Sequence, residues 1–305
     1  MRIFVTGASG WIGSAVLPEL RSAGHDVVGL ARSDGSASQI EAAGAFVVRG
    51  DIDNPEGLAK AANDADGVIH LAFQHEVAFS GDFAAAANAD RAAVEAMGTA
   101  LAGSDRPFVL ASGLLGMTPG HIATENDGLV PPAEARAHPA IRRHATALFT
   151  LSLAGIGVRP AVVRFPPTVH GDGDTGFVHA LVTTARDHGA AGYMGDGQNR
   201  WPAVHRSDAA HLVRLAVEAA PAGSVLHAID DEGVPLRDIA DVIGRHLDIP
   251  TASIDPADAF GHFGHLGGLV GLDSPASARI TRELVSWETT GPGLLDDLEA
   301  GHYFR

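Results

Sequence analysis

Ile3-Phe4-Val5-Thr6-Gly7-Ala8-Ser9-Gly10-Trp11-Ile12-Gly13 decides how the rest of the chain is read. A β-branched and aromatic run passes at once into three glycines spaced three apart, and then into helix-forming residues. At such a junction Gly7 permits a tight turn, Gly10 lets the backbone approach a pyrophosphate, and Gly13 lets the helix lie close to the strand. The free N–H groups and positive end of the helix favour an anion. The spacing therefore places Gly7, Ser9, Gly10, Trp11, Ile12 and Gly13 around a dinucleotide, the alternative being a glycine-rich turn without a ligand.

Working outward, short apolar runs at Asp26–Leu30, Ala45–Val48, Val68–Ala72, Phe108–Ser112 and Ala161–Phe165 alternate with longer, Ala-rich segments. Helices are expected over Gly10–Ala23, Phe83–Ala102, Pro139–Leu153 and Ser207–Ala220. Continuous apolar strands between helices predict an α/β fold, with a Rossmann-type, doubly wound parallel sheet covered on both faces. Turn-rich stretches at Pro166-Pro167, Gly171-Asp172-Gly173-Asp174 and Gly195-Asp196-Gly197 mark a smaller C-terminal substrate lobe. The expected division is a cofactor domain over 1–165, to which 204–230 returns, and a lobe from 166–203 and 231–305. Gly261 to Gly271 carries five glycines and reads as a mobile loop.

Composition narrows the function. The 305 residues hold 21 Lys and Arg against 37 Asp and Glu, a formal net charge of −16 that repels nucleic acid and anionic membranes. There is no cysteine, which removes disulfides, thiolate metal sites and cysteine nucleophiles and fits a reducing cytosol. His262 and His265 lack an evident third ligand, so no metal is expected. No leader is expected before the first strand, and no uncharged apolar run reaches the ~18 residues that cross a bilayer. These features predict a cytoplasmic monomer or homodimer whose partner is a small molecule.

Thr6-Gly7-x-x-Gly10-x-x-Gly13 resembles the T-G-x-x-G-x-x-G signature of the extended short-chain dehydrogenase/reductase superfamily, the NAD-dependent epimerase/dehydratase-like branch. Gly50-Asp51-Ile52 is similar to the family's adenine contact, and His70-Leu71-Ala72-Phe73 to the strand end that passes the cofactor ribose. Ser112 stands where the family keeps a substrate-orienting serine, and Ser286-Trp287 echoes its C-terminal Gly-Trp. The resemblance implies a nicotinamide cofactor held also by Asp51, Ile52, Leu71, Ala72 and Phe73. It implies a pocket lined by Gln74, Gly113, Leu114 and His170. In NAD-preferring members an acidic residue ends the second strand; here Ala31-Arg32-Ser33 stands there. The Arg32 guanidinium can grip a 2′-phosphate in a forked geometry and Ser33 can add a hydroxyl, so NADP is expected, with NAD as the alternative.

One departure is decisive. The superfamily's Tyr-x-x-x-Lys pair is absent, because the only tyrosines are Tyr193 and Tyr303 and the only lysine is Lys60. Counting back from Arg164 puts His138 and Arg142 at the pair's positions, while a one-residue slip gives Pro139 and Arg143. An imidazole with a pKa near ~6.5 can move protons at neutral pH, and Arg142 could hold ribose hydroxyls. Otherwise His138 only caps a helix. Three functions stay open. The first is an oxidoreductase acting on a small carbonyl, with Ser112 orienting the oxygen and His138 or water supplying the proton. The others are a non-catalytic NADP(H)-binding redox sensor and a nucleotide-sugar-type epimerase or dehydratase.

Overall fold

The computed structural model describes residues 1–129 and 139–305, without the side chains of Phe79 and residues 139–142. His138 lies outside the described residues.

The chain runs β1 (Arg2–Thr6), α1 (Gly13–Ser22), β2 (Asp26–Ala31), α2 (Asp34–Ala42), β3 (Phe46–Arg49), α3 (Pro55–Asn63) and β4 (Gly67–His70). Then come α4 (His75–Val77), α5 (Phe83–Ala100), β5 (Pro107–Gly113), α6 (Pro139–Ser152) and β6 (Arg159–Phe165). The later part holds β7 (Thr168–His170), α7 (Phe177–His188), β8 (Ala191–Met194), β9 (Arg200–His205), α8 (Arg206–Ala219) and β10 (Ser224–His227). It ends with β11 (Asp231–Pro235), α9 (Leu236–Leu247), β12 (Thr251–Ile254), α10 (Ala259–Phe263), α11 (Arg279–Val285) and α12 (Leu294–Glu299).

Seven strands form one parallel sheet in the order β10-β6-β5-β4-β1-β2-β3. The two faces of each strand feed different cores. Ile3 and Val5 pack with Val16, Leu17 and Leu20 of α1, Ile40 of α2 and Leu212 of α8. Phe4 points the other way, to Leu58 of α3, Val94 and Met97 of α5 and Ala147 of α6. This is the expected doubly wound arrangement. Its strand order reverses between β1 and β4, which opens a crevice at their C-terminal ends.

The smaller lobe has a three-stranded sheet, β11-β9-β7, and a β12-β8 pair around its own core of Val178, Trp201, Ile239, Ile243 and Phe263. One expectation needs correction. The stretch from Gly261 to Gly271 is not a loop throughout: it contains the end of α10 and a tight helical turn over Gly264–Gly268. Phe263, Leu266 and Val270 are buried and anchor it. Gly267 serves close packing there, since a Cβ on it would lie 2.7 Å from the Phe260 nitrogen. Late in the chain, Ala276, Ala278, Val285 and Trp287 pack into the main core. Among the described residues no helix is long and apolar enough to cross a membrane.

Candidate cofactor and active site

The glycine loop owes its shape to crowding. Gly7 has φ +67°, and a Cβ there would lie 2.7 Å from the Ala72 nitrogen, because the ends of β1 and β4 almost touch. A Cβ on Gly13 would lie 2.1 Å from the Gly7 carbonyl oxygen. These residues spend 7–12 on the turn, so α1 begins at Gly13 rather than at the expected Gly10. Gly10 is different: it is exposed, and a Cβ would meet only the Gly7 oxygen, at 3.2 Å. The space over Gly10 is a cradle that a side chain would fill, at the N-terminal end of a helix, and it fits a pyrophosphate.

The neighbouring positions divide between cradle and scaffold. Ser9 is half-buried in the loop, whereas the Ile12 side chain packs against the core. Trp11 donates its indole N–H to the Val169 carbonyl at 2.7 Å. Arg32 is two-thirds exposed at the tip of β2 and stands 3.9 Å from Glu76. The Ser33 hydroxyl is already engaged, accepting from the Ser36 N–H at 3.1 Å to cap α2. Half-buried Asp51 follows β3, its carboxylate accepting from the Asp53 N–H, and Ile52 is buried in the core. Gln74 donates to Asp53 at 2.9 Å, so the exits of β3 and β4 are joined. Leu71, Ala72 and Phe73, all half-buried, continue beyond β4, which ends at His70.

At the active-site end, Ser112 lies near the tip of β5, only 6% exposed and level with Arg164 of β6. Gly113 beside it is exposed. Two other expected pocket residues are placed elsewhere: Leu114 is buried in the main core, and His170 is fully buried in β7, where its Nδ1–H donates to Asp297 at 2.8 Å. Neither tyrosine replaces the missing one. The Tyr303 hydroxyl donates to Asp174 and accepts from the Gly171 N–H, and burial drives its pKa upward. Tyr193 lies in β8, with the Arg237 guanidinium 5.5 Å from its ring. Lys60 is 80% exposed on α3, paired with Asp64.

Arg142 belongs to α6, but its side chain is outside the description. Its neighbour Arg143, the slipped register, is the one seen at the exit of β4. Its guanidinium carbon stands 4.0 Å over the Phe73 ring, and its Nε is buried with no partner among the described residues. Burial pulls its pKa down, while the Asp90 charge opposes that shift. Burial and the Arg143 charge also lower the pKa of His75.

Asp90, 2% exposed, accepts from His70 Nε2 at 3.2 Å. That contact fixes the tautomer assigned from the network, so the Thr6 hydroxyl donates to His70 Nδ1 at 2.6 Å. The other Asp90 oxygen is buried and unpartnered among the described residues. Sequence reasoning overlooked Asp90. A signal existed, because it is the single charged residue on the buried stripe Ala86, Ala87, Asp90, Ala93, Val94 and Met97 of α5.

A second polar network braces the tips of β6 and β10. Buried Arg164 donates to the Asp127 carbonyl at 2.8 Å and to His227 Nε2 at 3.3 Å, and His227 Nδ1–H donates to the Ser277 carbonyl at 2.9 Å. Burial first, then the facing guanidinium, push His227 down to about 4, and burial lowers Arg164 to about 10. An unfolded histidine titrates near ~6.5, so between these values the unfolded chain binds the extra proton. Stability should be full above pH ~6.5 and fall as pH drops towards 4, by on the order of 3 kcal/mol over the window. Urea unfolding at several pH values checks this. His227→Gln should flatten the slope, and an equal slope in that variant would remove His227 as its source.

The sequence from residue 3 to 228 matches the NAD dependent epimerase/dehydratase family model. An uncharacterized protein of Saccharomyces cerevisiae is 43% identical over 304 residues, covering 99% of both chains. A 4-hydroxy-2-methyl-3-oxo-4-farnesyl-3,4-dihydroquinoline-1-oxide ketoreductase of Stigmatella aurantiaca is 29% identical over 250 residues, 78% of this chain and 70% of that one. In fold, the chain is similar to a dTDP-glucose 4,6-dehydratase of Streptomyces venezuelae solved with NAD bound. That likeness has a TM-score of 0.78 at 18% identity, covering 99% of this chain and 96% of the other. With its Rossmann sheet and glycine loop, the chain belongs to the NAD dependent epimerase/dehydratase family.

Proposed function

We propose that the protein is a cytoplasmic NADP(H)-dependent oxidoreductase that interconverts a small carbonyl compound and its alcohol. The observation that carries this reading is the open space over Gly10, together with a β2 tip that ends in Ala31-Arg32-Ser33 rather than an acidic residue, the Glu76 carboxylate being 3.9 Å from Arg32. The cysteine-free composition supports the compartment. The ketoreductase of Stigmatella aurantiaca supports the reaction class.

The bound cofactor would supply the hydride. The Gly10 N–H is spent on the Gly7 carbonyl at 3.0 Å, so the backbone N–H groups of Trp11 and Ile12 would hold its pyrophosphate, and Arg32 its 2′-phosphate. Arg143, stacked on Phe73, would hold the nicotinamide-side ribose hydroxyls through its fork of donors. Arginine stays charged and cannot deliver a proton, so its part is binding and field. Ser112 would donate its hydroxyl to the substrate oxygen, and the proton would come from His138 or from water. The lack of a Tyr–Lys pair favours one competitor, a cofactor-binding redox sensor, which differs by showing affinity without turnover.

Calorimetric titration with NADP+ and NAD+ tests the cofactor choice. NADP+ should bind more tightly, and Arg32→Ala should shrink the gap by ~1–3 kcal/mol, the scale of a hydrogen bond to a charged group. Equal affinities in the unaltered protein would sink the NADP assignment.

A further inference from the structure

Trp11 is held at both ends by the C-terminal half of the chain. Its indole N–H donates to the Val169 carbonyl of β7, 158 residues away. Its own carbonyl accepts from Arg206 Nε at 2.8 Å, 195 residues away. The Arg206 guanidinium carbon stands 4.1 Å from the indole ring, and Nη2 donates to the Ser14 hydroxyl at 2.5 Å. Ser14 in turn donates to the Gly10 carbonyl at 2.7 Å. One arginine at the start of α8 thus touches the cradle through two paths.

The tie continues beyond Trp11. His170 of β7 donates to Asp297 of α12, and the Gly171 N–H donates to the Tyr303 hydroxyl. Gly10, Trp11, β7 and the last turn of the chain therefore form one connected set. Burial lowers the Arg206 pKa, and no facing carboxylate among the described residues opposes that shift. Arg206 stands near the positive end of α1, where a cation is disfavoured and an arriving anion is welcome.

We propose that Trp11, braced by Arg206 from the cofactor domain, is a positioning residue that couples the glycine loop to the substrate lobe through Val169, so that a bound dinucleotide and an ordered lobe stabilise each other. The proposal rests on the cofactor reading above. Linkage makes the effect reciprocal: whatever affinity the lobe lends the cofactor, the cofactor returns as order in the lobe.

The test is hydrogen exchange on the full chain, with and without NADP+, together with NADP+ titration. Without cofactor, Arg206→Ala should speed exchange at 10–15, and Trp11→Phe at 168–171, while β4 and β5 stay unchanged. NADP+ should slow exchange in the wild type at 7–13, 168–171 and 294–304, but in Arg206→Ala at 7–13 alone. Arg206→Ala should weaken NADP+ ~10-fold, and Arg206→Lys should recover part of that by restoring the charge. Unaltered exchange in both variants, or wild-type protection confined to 7–13, would overturn the coupling. A wild type that binds no dinucleotide would instead defeat the cofactor reading, with the cofactor-free exchange still deciding whether Trp11 and Arg206 hold the loop to β7.

Discussion

Gly10→Val should weaken dinucleotide binding by ~1,000-fold or more, with circular dichroism and melting temperature close to those of the wild type. The reason lies in what surrounds the position. A Cβ on Gly10 meets nothing but the Gly7 oxygen at 3.2 Å, so the protein itself accommodates the substitution with a small shift. The branches of valine would then fill the space from which backbone N–H groups face a pyrophosphate. Gly13→Val is the informative contrast. A Cβ there would sit 2.1 Å from the Gly7 oxygen, which no rotamer can relieve, so this variant should lose stability as well as binding. Cofactor affinity preserved in Gly10→Val would mean that the loop does not hold the pyrophosphate.

Arg143→Met should lower kcat/KM by ~100- to 1,000-fold, the scale on which one preorganised electrostatic contact is lost. Methionine keeps much of the stem that lies over Phe73 and removes the charge. It also leaves the Asp90 carboxylate, buried on α5, without the opposing charge of that guanidinium, which should destabilise the fold. The two effects separate in the double variant Arg143→Met/Asp90→Asn. Neutralising the carboxylate should return most of the stability and none of the activity. Activity restored along with stability would show that Arg143 acts on folding and not on the reacting groups.

How far the site was legible depended on the range of the interactions that build it. The Gly7–Gly13 loop is local, so its spacing alone located the crevice, and the alternation of runs fixed the parallel sheet. His170 was different. Its strand is three residues long, and its partner Asp297 lies 127 residues downstream, so no local pattern showed that it faces inward. Leu114 directly follows a strand, where a turn of the backbone leaves Gly113 exposed and buries the next residue in the core, a difference no local pattern displays. The Arg142/Arg143 ambiguity is geometric. Neighbours on a helix point about 100° apart, and counting along a chain cannot resolve a one-residue slip introduced by Pro166-Pro167. Trp11 was read as a cofactor contact from its place in the loop, and its ties to Val169 and Arg206 needed the folded chain.

The solitary lysine gives the molecule an unusual chemical handle. Lys60 projects from α3, a helix on the sheet face opposite α1, and its amine is largely in water. Among the side chains, amine-reactive reagents can therefore attach at this one point. With no thiol anywhere in the chain, a cysteine introduced at a chosen position would be equally unique. A donor dye on Lys60 and an acceptor on one engineered cysteine in the lobe would make a defined pair for single-molecule distance measurements, without removal of any competing native lysine or cysteine.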